Sequence, residues 1–262
     1  MSDNYKQKVK IAISILLMCI SLVVKSQTIE IPAISADRPG VATPPFILDK
    51  NNLQIESGAA YERMMNGNIL TENILYNTTL LRFGLNKNAE IRIQADYAQI
   101  KTAGQNITGF NPIIIGTKFL IAEEKGILPA TAFLTNITLP YIGEKSFRPE
   151  HISPSFYLLM QNNITNALNI CYNVGLEYDG SNAEPTEFAA LCLGYNITQK
   201  LSIFAENYNY FANHTLPQSY IDLGGAYNIR RNLQLDLSGN ISLQDVANYY
   251  MLNIGLSWRI TK

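Results

Sequence analysis

The stretch AEIRIQADY at residues 89–97 decides the fold, because apolar and polar side chains alternate along it without interruption. Successive side chains of a β-strand point to opposite faces, so one face of this segment is apolar and the other is charged or polar. The same alternation recurs at residues 168–178, 233–238 and 250–260. The pattern predicts β-strands with one wet face and one apolar face, and it lacks the i, i+3, i+4 spacing of an amphipathic helix.

Weaker copies of this alternation bring the predicted total to about twelve strands, and they lie near residues 53–63, 71–85, 113–121, 130–139, 152–161, 187–197, 201–210 and 219–229. Short connections are predicted near residues 86–88, 162–166, 198–200 and 230–232, and longer ones near 100–111, 141–151, 179–185, 211–218 and 242–248. Short turns at one end, long loops at the other and an even strand number are typical of an antiparallel transmembrane β-barrel of the outer-membrane type. The predicted fold class is therefore all-β, with both chain ends at the short-turn side.

The composition excludes several other classes. The chain has 262 residues, a net charge of -1, 47% apolar and 16% charged residues, which is atypical of a disordered or nucleic-acid-binding protein. A mean hydropathy of +0.00 is too polar for a helical membrane protein. Strands with one lipid face and one wet face account for this intermediate value.

The N-terminal region divides the chain into three predicted parts. Lysines at positions 6, 8 and 10 precede an apolar run at residues 11–24, which is shorter than the ~20 residues of a membrane-spanning helix. We therefore predict a signal peptide over residues 1–26. Residues 27–50, which contain four prolines and no periodicity, are predicted to be an extended lead-in that either stays in the periplasm or enters the barrel. Residues 51–262 form the predicted barrel.

Several motifs together resemble a known family. They are ADRPG at 36–40, LQIESG at 53–58, NITLP at 136–140, YNVGLEYDG at 172–180, LQLDLSG at 233–239 and GLSWR at 255–259. They are similar to the outer-membrane transporter-like barrels grouped as "MetA-pathway of phenol degradation", over nearly the whole mature chain. The resemblance implies uptake or export of small compounds, aromatic ones among them. The chain ends in Ile260-Thr261-Lys262 and not in the terminal aromatic residue that the barrel-insertion machinery reads, which leaves this recognition to Trp258 and Ile260.

The charged residues of the strands fall on the inward face by parity. A charge on the lipid face would cost ~2–4 kcal/mol at the membrane midplane, so this parity sets the orientation of the strands. Acidic residues outnumber basic ones, which predicts an acidic lumen that either conducts cations or neutral solutes or is filled by cross-strand ion pairs. The predicted lumen-lining residues are Glu56, Arg82, Glu90, Arg92, Asp96, Lys118, Glu177, Glu187, Glu206, Asp222, Asp236 and Arg259.

These features predict a porin-like channel or transporter for a small solute in the outer membrane of a Gram-negative bacterium. The alternative is a structural or adhesive barrel with a closed lumen and functional outer loops. An enzyme is disfavoured: His151-Ile152-Ser153 resembles the His-x-Ser of outer-membrane phospholipase A, but parity points both side chains to the lumen, and His214 has no ligand partner at metal-binding spacing. We expect no cofactor, metal or nucleic acid; the expected partners are membrane lipid, the insertion machinery and the solute.

Two cysteines, Cys171 and Cys192, share the inward face of consecutive strands and lie nearly symmetrically about the loop at 179–185. They could face each other. The oxidising periplasm permits a disulfide, but opposed Cβ atoms of neighbouring strands lie at the wide edge of bridging distance. A bridge and two free thiols both remain open.

Overall fold

The computed structural model describes residues 34–213, 215–244 and 247–260. The predicted signal peptide, the first residues of the lead-in and His214 lie outside this part of the chain. Within it the strands are β1 (Leu53–Asn66), β2 (Ile69–Asn86), β3 (Ala89–Thr102), β4 (Gln105–Phe110), β5 (Ile114–Ala122), β6 (Ala130–Thr138), β7 (Ser153–Asn163), β8 (Leu168–Glu177), β9 (Thr186–Asn196), β10 (Leu201–Phe211), β11 (Gln218–Arg230), β12 (Leu233–Ser242) and β13 (Ala247–Ile260). A single 3-10 turn, Lys145–Phe147, interrupts the β6–β7 loop.

The sheet closes on itself. Apart from β4 and β5, each strand pairs antiparallel with the next, and β13 pairs with β1 from Leu53↔Ile260 to Asn66↔Ala247. Strands β4 and β5 pair with successive halves of β3, so together they count as one wall strand broken around Pro112. Proline has no backbone N–H to donate to a ladder, which accounts for the break. The prediction of a closed, antiparallel barrel of about twelve strands is confirmed.

One predicted loop is instead a hairpin. Residues 100–111 were expected to be a long connection, but β3 continues to Thr102 and β4 begins at Gln105. The turn residues Ala103 and Gly104 have φ values of 46° and 80°. Positive φ at both central residues is the geometry that joins two twisted strands through a two-residue turn. The polar residues of this segment therefore belong to a β-hairpin that continues the barrel wall.

The two ends of the barrel differ in their connections. At one end, which we call the turn end, β2–β3 and β11–β12 are joined by two residues each, and Leu53 and Ile260 lie there as well. At the other end, the loop end, the β6–β7 connection runs over residues 139–152. In outer-membrane barrels short turns face the periplasm and long loops face outward.

The two faces of the wall decide its environment. The apolar side chains of the alternating segments face outward: Ile91 is 38% exposed and Leu252 is 56% exposed. Their charged neighbours are enclosed, and Glu90 is 0% exposed. A water-soluble sheet would show the reverse. A closed hydrogen-bond ladder with an apolar outer surface is the form in which strands can span a lipid bilayer.

The described part of the lead-in, residues 34–50, lies inside the barrel, and we call it the lumen segment. It forms hydrogen bonds with inward side chains of β1, β2, β3, β5, β8, β10 and β12, which only a position in the lumen allows. Ile34, Ala42 and Leu48 are buried there. Of the two positions predicted for the lead-in, the periplasm and the barrel interior, residues 34–50 occupy the barrel interior.

Candidate functional site

The turn-end half of the lumen contains a balanced cluster of buried charges. Arg82 contacts Asp37, Glu56 and Glu90 at N···O distances of 3.0, 2.9 and 2.9 Å. Arg92 contacts Asp37 at 2.5 Å and Glu90 at 2.9 Å. Lys118 contacts Asp37 at 2.9 Å. Three cations thus face three carboxylates, so the predicted pairing across strands does occur here, with the lumen segment supplying one partner.

The same charged side chains also satisfy the backbone of the lumen segment. Lys118 Nζ donates to the carbonyl oxygens of Pro44 and Phe46 at 3.1 and 3.2 Å, and Arg82 donates to that of Ser35 at 3.1 Å. Glu90 accepts the N–H of Leu48 at 2.9 Å. A buried segment outside the ladder needs such partners for its polar backbone groups. The wall charges therefore hold the segment in place.

Arg38 connects the lumen segment to the seam where the barrel closes. Its Nη2 lies 3.2 Å from Asp236 Oδ1, and its Nη1 donates to Thr78 Oγ1 at 3.2 Å. Gly58 of β1 and Gly255 of β13 are register partners beneath its guanidinium group. A Cβ atom added to Gly58 would lie 2.6 Å from Arg38 Nη2, and one added to Gly255 would overlap the guanidinium as well. The glycines leave the space that Arg38 fills.

In the middle of the lumen, uncharged and acidic groups hold the segment. Glu206 accepts the N–H groups of Val41 and Ala42 at 2.9 and 2.7 Å. Asn173 accepts the N–H of Thr43 at 2.7 Å and donates to its carbonyl oxygen at 3.0 Å. Ala42 packs in a small apolar cluster with Cys171, Phe188, Ala190 and Tyr208. Residues 41–43 and these wall residues together narrow the lumen.

The two cysteines face each other across β8 and β9, and both are free in this structure. Cys171 is buried against the lumen segment, with its Sγ 3.5 Å from the carbonyl oxygen of Thr43. Cys192 is half-buried and lines a cavity. The narrow part of the lumen therefore carries two free thiols.

One predicted lumen residue faces the wrong way. Glu187 is exposed, and its register partners Leu176 and Phe211 are exposed beside it on the outer face. The inward position belongs to Phe188, whose ring packs against Tyr157 at a centroid distance of 5.8 Å. The assignment of Glu187 to the lumen is therefore wrong; a large aromatic residue takes the position that a carboxylate was expected to occupy.

The structure places the other predicted residues at different depths. Glu177 and Arg259 are half-buried. Asp96 accepts hydrogen bonds from the Thr79 N–H and from Gln94, and forms no ion pair among the described residues. The remaining predicted residues are buried: Glu56, Arg82, Glu90, Arg92, Lys118, Glu206, Asp222 and Asp236.

The loop-end half of the lumen is lined by aromatic rings that sequence reasoning assigned no role. Tyr208 stacks on Tyr220 with centroids 4.8 Å apart, Tyr220 contacts Tyr249 at 5.1 Å, and Phe188 contacts Tyr210 at 5.3 Å. We call these five residues and Tyr157 the aromatic cluster. Parity could have found part of it, because Tyr208 and Tyr210 share the face of Glu206.

Two cavities lie on either side of the narrow part. The turn-end cavity has a volume of about 460 Å³ and lies between the lumen segment and residues of β7–β11, among them Gln161, Asn169 and Ser202. The loop-end cavity has a volume of about 350 Å³ and is lined by Glu177, Asp179, Tyr210 and Gln218. Backbone N–H groups of Asn182 and Ser181 lower the pKa of Asp179 by hydrogen bonding to its carboxylate. The loop-end cavity thus combines negative charge with an aromatic wall.

The residues singled out for catalysis do not form a nucleophile–base pair. The Ser153 hydroxyl donates to the backbone carbonyl of His151 at 3.3 Å, and the His151 N–H donates to Gly180 at 3.0 Å. Among residues 34–213, 215–244 and 247–260, no group of three or more His, Cys, Asp or Glu side chains is arranged to hold a metal ion. Within the same residues, no helix has the length and apolar character needed to cross a membrane.

Fold and lumen define a membrane-spanning twelve-stranded barrel that is partly filled by its own N-terminal segment. Residues 36–260 match the family described as "Putative MetA-pathway of phenol degradation", so the chain belongs to that family. Family membership, fold and outer surface together place it in the bacterial outer membrane. The match begins beside Asp37 and Arg38 and ends in β13, so it includes both partners of the seam contact.

Solved structures with the same fold are remote in sequence. An outer membrane channel from Pseudomonas putida F1 superposes with a TM-score of 0.68 at 9% identity, covering 85% of this chain and 99% of that one. The KdgM porin in complex with disordered oligogalacturonate gives 0.52 at 7% identity over 77% and 98% of the two chains. The translocator domain of the autotransporter NalP from Neisseria meningitidis gives 0.51 at 9% identity over 80% and 88%. No curated protein matches the sequence. At these identities the likeness concerns the fold alone.

Proposed function

We propose that this chain is an outer-membrane channel for small solutes whose lumen is narrowed by its own N-terminal segment. The observation that carries the proposal is the pair of cavities, of about 460 and 350 Å³, on either side of residues 41–43. A barrel built only as a scaffold has no need of open space on both sides of a constriction. The structurally similar protein from Pseudomonas putida F1 is itself an outer membrane channel, which supports the same role.

The solute class follows from the lining of the loop-end cavity. Tyr210 offers a ring face, and Glu177 and Asp179 offer negative charge. Aromatic faces stack on flat rings and attract cations, and carboxylates repel anions. This lining supports a small neutral or cationic solute, aromatic ones included. The family name points to the same class.

The predicted lumen residues take two roles in this proposal. Those of the ion cluster, such as Arg82 and Lys118, hold the lumen segment. Those outside it, such as Glu177 and Glu206, line the route that a solute would take. The balance of the cluster leaves the carboxylates outside it in excess, which supports an acidic lumen. Catalysis has no part in the proposal.

Thiol modification provides a direct test, because Cys171 and Cys192 lie at the narrow part. The refolded protein in a planar bilayer should show single-channel currents that fall stepwise when a trimethylammonium methanethiosulfonate is added. The double variant Cys171→Ala/Cys192→Ala should conduct and be insensitive to the reagent. Wild-type currents that stay unchanged although mass spectrometry shows that the thiols have reacted would place the route elsewhere.

A silent barrel would favour the rival function. If the folded protein, verified by a change in its gel migration on heating, carries no current, the closed lumen and outer loops of a structural or adhesive barrel become the better interpretation. The balanced ion cluster is the feature that favours this rival, because it occupies part of the turn-end half of the lumen together with the lumen segment.

We also propose the division of the chain made from its sequence. Residues 1–26 act as a signal peptide, residues 27–50 precede the barrel and residues 51–262 form it, with the insertion machinery reading Trp258 and Ile260. The mass of the protein isolated from outer membranes tests the first boundary. The variant Trp258→Ala, which should lower the amount inserted and leave refolding in detergent intact, tests the last assignment.

A further inference from the structure

We propose that the lumen binds a hard, oxygen-seeking cation, with Ca²⁺ as its probe, between Glu206, Asp222 and Asn240. This inference goes beyond the channel proposal, because the site requires only that the lumen is folded. It starts from the way in which buried charges are distributed between the two halves of the barrel.

The buried carboxylates of the lumen are not equally compensated. Asp37, Glu56 and Glu90 meet three cations, and Asp236 meets Arg38. Glu206 and Asp222 form no ion pair with any cationic side chain of the described ranges. Glu206 accepts only backbone N–H groups from the lumen segment. Two buried carboxyl groups without a cationic partner therefore remain in the middle of the lumen.

The strand register brings these two carboxylates together with an amide oxygen. Glu206 is the register partner of Asp222 across β10 and β11, and Asp222 is the partner of Asn240 across β11 and β12. All three are buried and share the inward face. Directly opposed residues have Cβ atoms ~4.5–5.5 Å apart, so the three side chains form one row around the wall.

The atoms that point into this row lack partners. Asp222 is 1% exposed, and neither of its carboxylate oxygens has a hydrogen bond; Asn240 is 3% exposed, and its Oδ1 has none either. The Ser238 hydroxyl and the N–H groups of Leu223 and Gly239 lie near the Asp222 carboxylate, but neither of its oxygens receives a hydrogen bond of normal geometry. Buried polar atoms in folded proteins are almost always satisfied, so a buried charged acceptor without a partner calls for a ligand.

The chemistry of these atoms selects the ligand. All of them are oxygen acceptors, which suit hard cations, and one divalent ion would neutralise the two carboxylates. Ca²⁺ accepts irregular oxygen geometry, whereas Mg²⁺ demands a near-ideal octahedron. Cys192 is the register partner of Glu206 on β9, on the side away from Asp222. Its thiol is not a ligand of the proposed site. With only two carboxylates the site should be weak and exchangeable.

A cation here would also tie the lumen segment to the wall. Glu206 holds Val41 and Ala42 with the same carboxylate that faces Asp222. Without a cation the two carboxylates repel each other; with one, the row of β10–β12 is drawn together beneath the segment. Binding should therefore raise the stability of the barrel.

Terbium luminescence provides the binding assay, because Tyr208 and Tyr220 lie two residues from Glu206 and Asp222 on the same face and can sensitise bound Tb³⁺. The full-length protein, refolded without lipopolysaccharide and stripped with chelator, should show tyrosine-sensitised emission that Ca²⁺ competes away. Its melting temperature should rise with added Ca²⁺ until binding saturates.

Three substitutions make the test specific. Asp222→Asn, which keeps the shape and removes the charge, should weaken Tb³⁺ binding at least ~10-fold, as expected when a charged ligand is lost, and should abolish the Ca²⁺ effect on melting. Asn240→Asp, which adds a third carboxylate, should tighten binding. Glu187→Gln removes a carboxylate from the outer face and should behave as wild type.

Two results would overturn the proposal. Identical Tb³⁺ binding in wild type and Asp222→Asn, with Asn240→Asp no tighter, would place any bound ion elsewhere. If the melting temperature of the wild type does not change with Ca²⁺ but rises on mild acidification, a shared proton, and not a metal cation, neutralises Glu206 and Asp222. Both results leave the bilayer experiments unaffected, so this site and the channel can fail independently.

Discussion

The turn-end and loop-end halves of the lumen are built from the same alternating strands but are lined by different side chains. At the turn end the wall presents Arg82, Glu90 and Lys118, and the lumen segment occupies the space between them. At the loop end the wall presents the aromatic cluster, and the space is partly open. The difference shows that charge inside this barrel is placed mainly where a backbone must be held. Aromatic rings line the lumen from the narrow part, where Phe188 and Tyr208 pack against Ala42, to the loop end.

Breaking the ion cluster should have the largest effect on stability. Arg82→Met removes the cation shared by Asp37, Glu56 and Glu90 and leaves buried carboxylates uncompensated. We expect a loss of about 3–5 kcal/mol in the free energy of unfolding, measured by urea titration of the refolded protein. Lys87→Met, at an exposed position in the β2–β3 turn, is the matched control. A similar small loss in both variants would show that the cluster contributes little.

Filling the space under Arg38 should have the next largest effect. Gly255→Ala places a methyl group where the guanidinium lies, so Arg38 must move away from Asp236. We expect a loss of about 1–3 kcal/mol, as for other overpacked sites, together with faster proteolysis of the lumen segment. In the control Gly239→Ala, the nearest atom is the mobile end of Leu252 at 3.0 Å, so the segment should stay protected.

Changing the loop end should alter solute passage more than stability. Tyr210→Leu removes a half-buried ring that contacts Phe188 at 5.3 Å and Tyr220 at 6.3 Å. An aromatic pair is worth about 0.5–1.5 kcal/mol, so the loss in the free energy of unfolding should be about that size. Liposome swelling should show slower entry of phenol relative to glycerol than in wild type. Equal slowing of both solutes would argue against a ring-binding surface.

The smallest expected effect is the pH response of the β8–β9 loop. The pKa of Asp179 is lowered by the N–H groups of Asn182 and Ser181, so its ionised form stabilises the loop. A carboxyl with a lowered pKa contributes stability above its unfolded value of about 3.9, and this contribution is lost as the pH falls through the folded value. Cleavage within residues 178–185 by pepsin should therefore increase below about pH 4. Asp179→Asn should be cleaved faster already at neutral pH by a neutral protease, while the barrel melts unchanged.

The wall could be predicted from sequence because its information is local. In residues 89–97 the polarity of each side chain indicates whether it faces outward or into the lumen. A closed sheet follows once enough such strands are present. Glu187 shows the limit of this reasoning: at a strand end a carboxylate can face outward above the membrane, and Phe188 can face a lumen lined by other rings.

The lumen segment could not be placed from sequence for a physical reason. It has no periodicity of its own, and its position is set by partners far along the chain: Asp37 meets Lys118 across 81 residues, and Arg38 meets Asp236 across 198. The family motif at 36–40 marked these residues as important without giving their partners. The same holds for Glu206, Asp222 and Asn240, whose meeting depends on register and not on spacing.

The position of Arg38 has a consequence for how the protein is assembled. Its guanidinium lies over one glycine from the first strand and one from the last, so this binding place does not exist until the final strand has docked. During folding, residues 34–50 must therefore lie within reach of a wall that is complete only when β13 has paired with β1. The barrel wall must thus close around the lumen segment. A chain truncated before β13 would lack half of the binding site of Arg38.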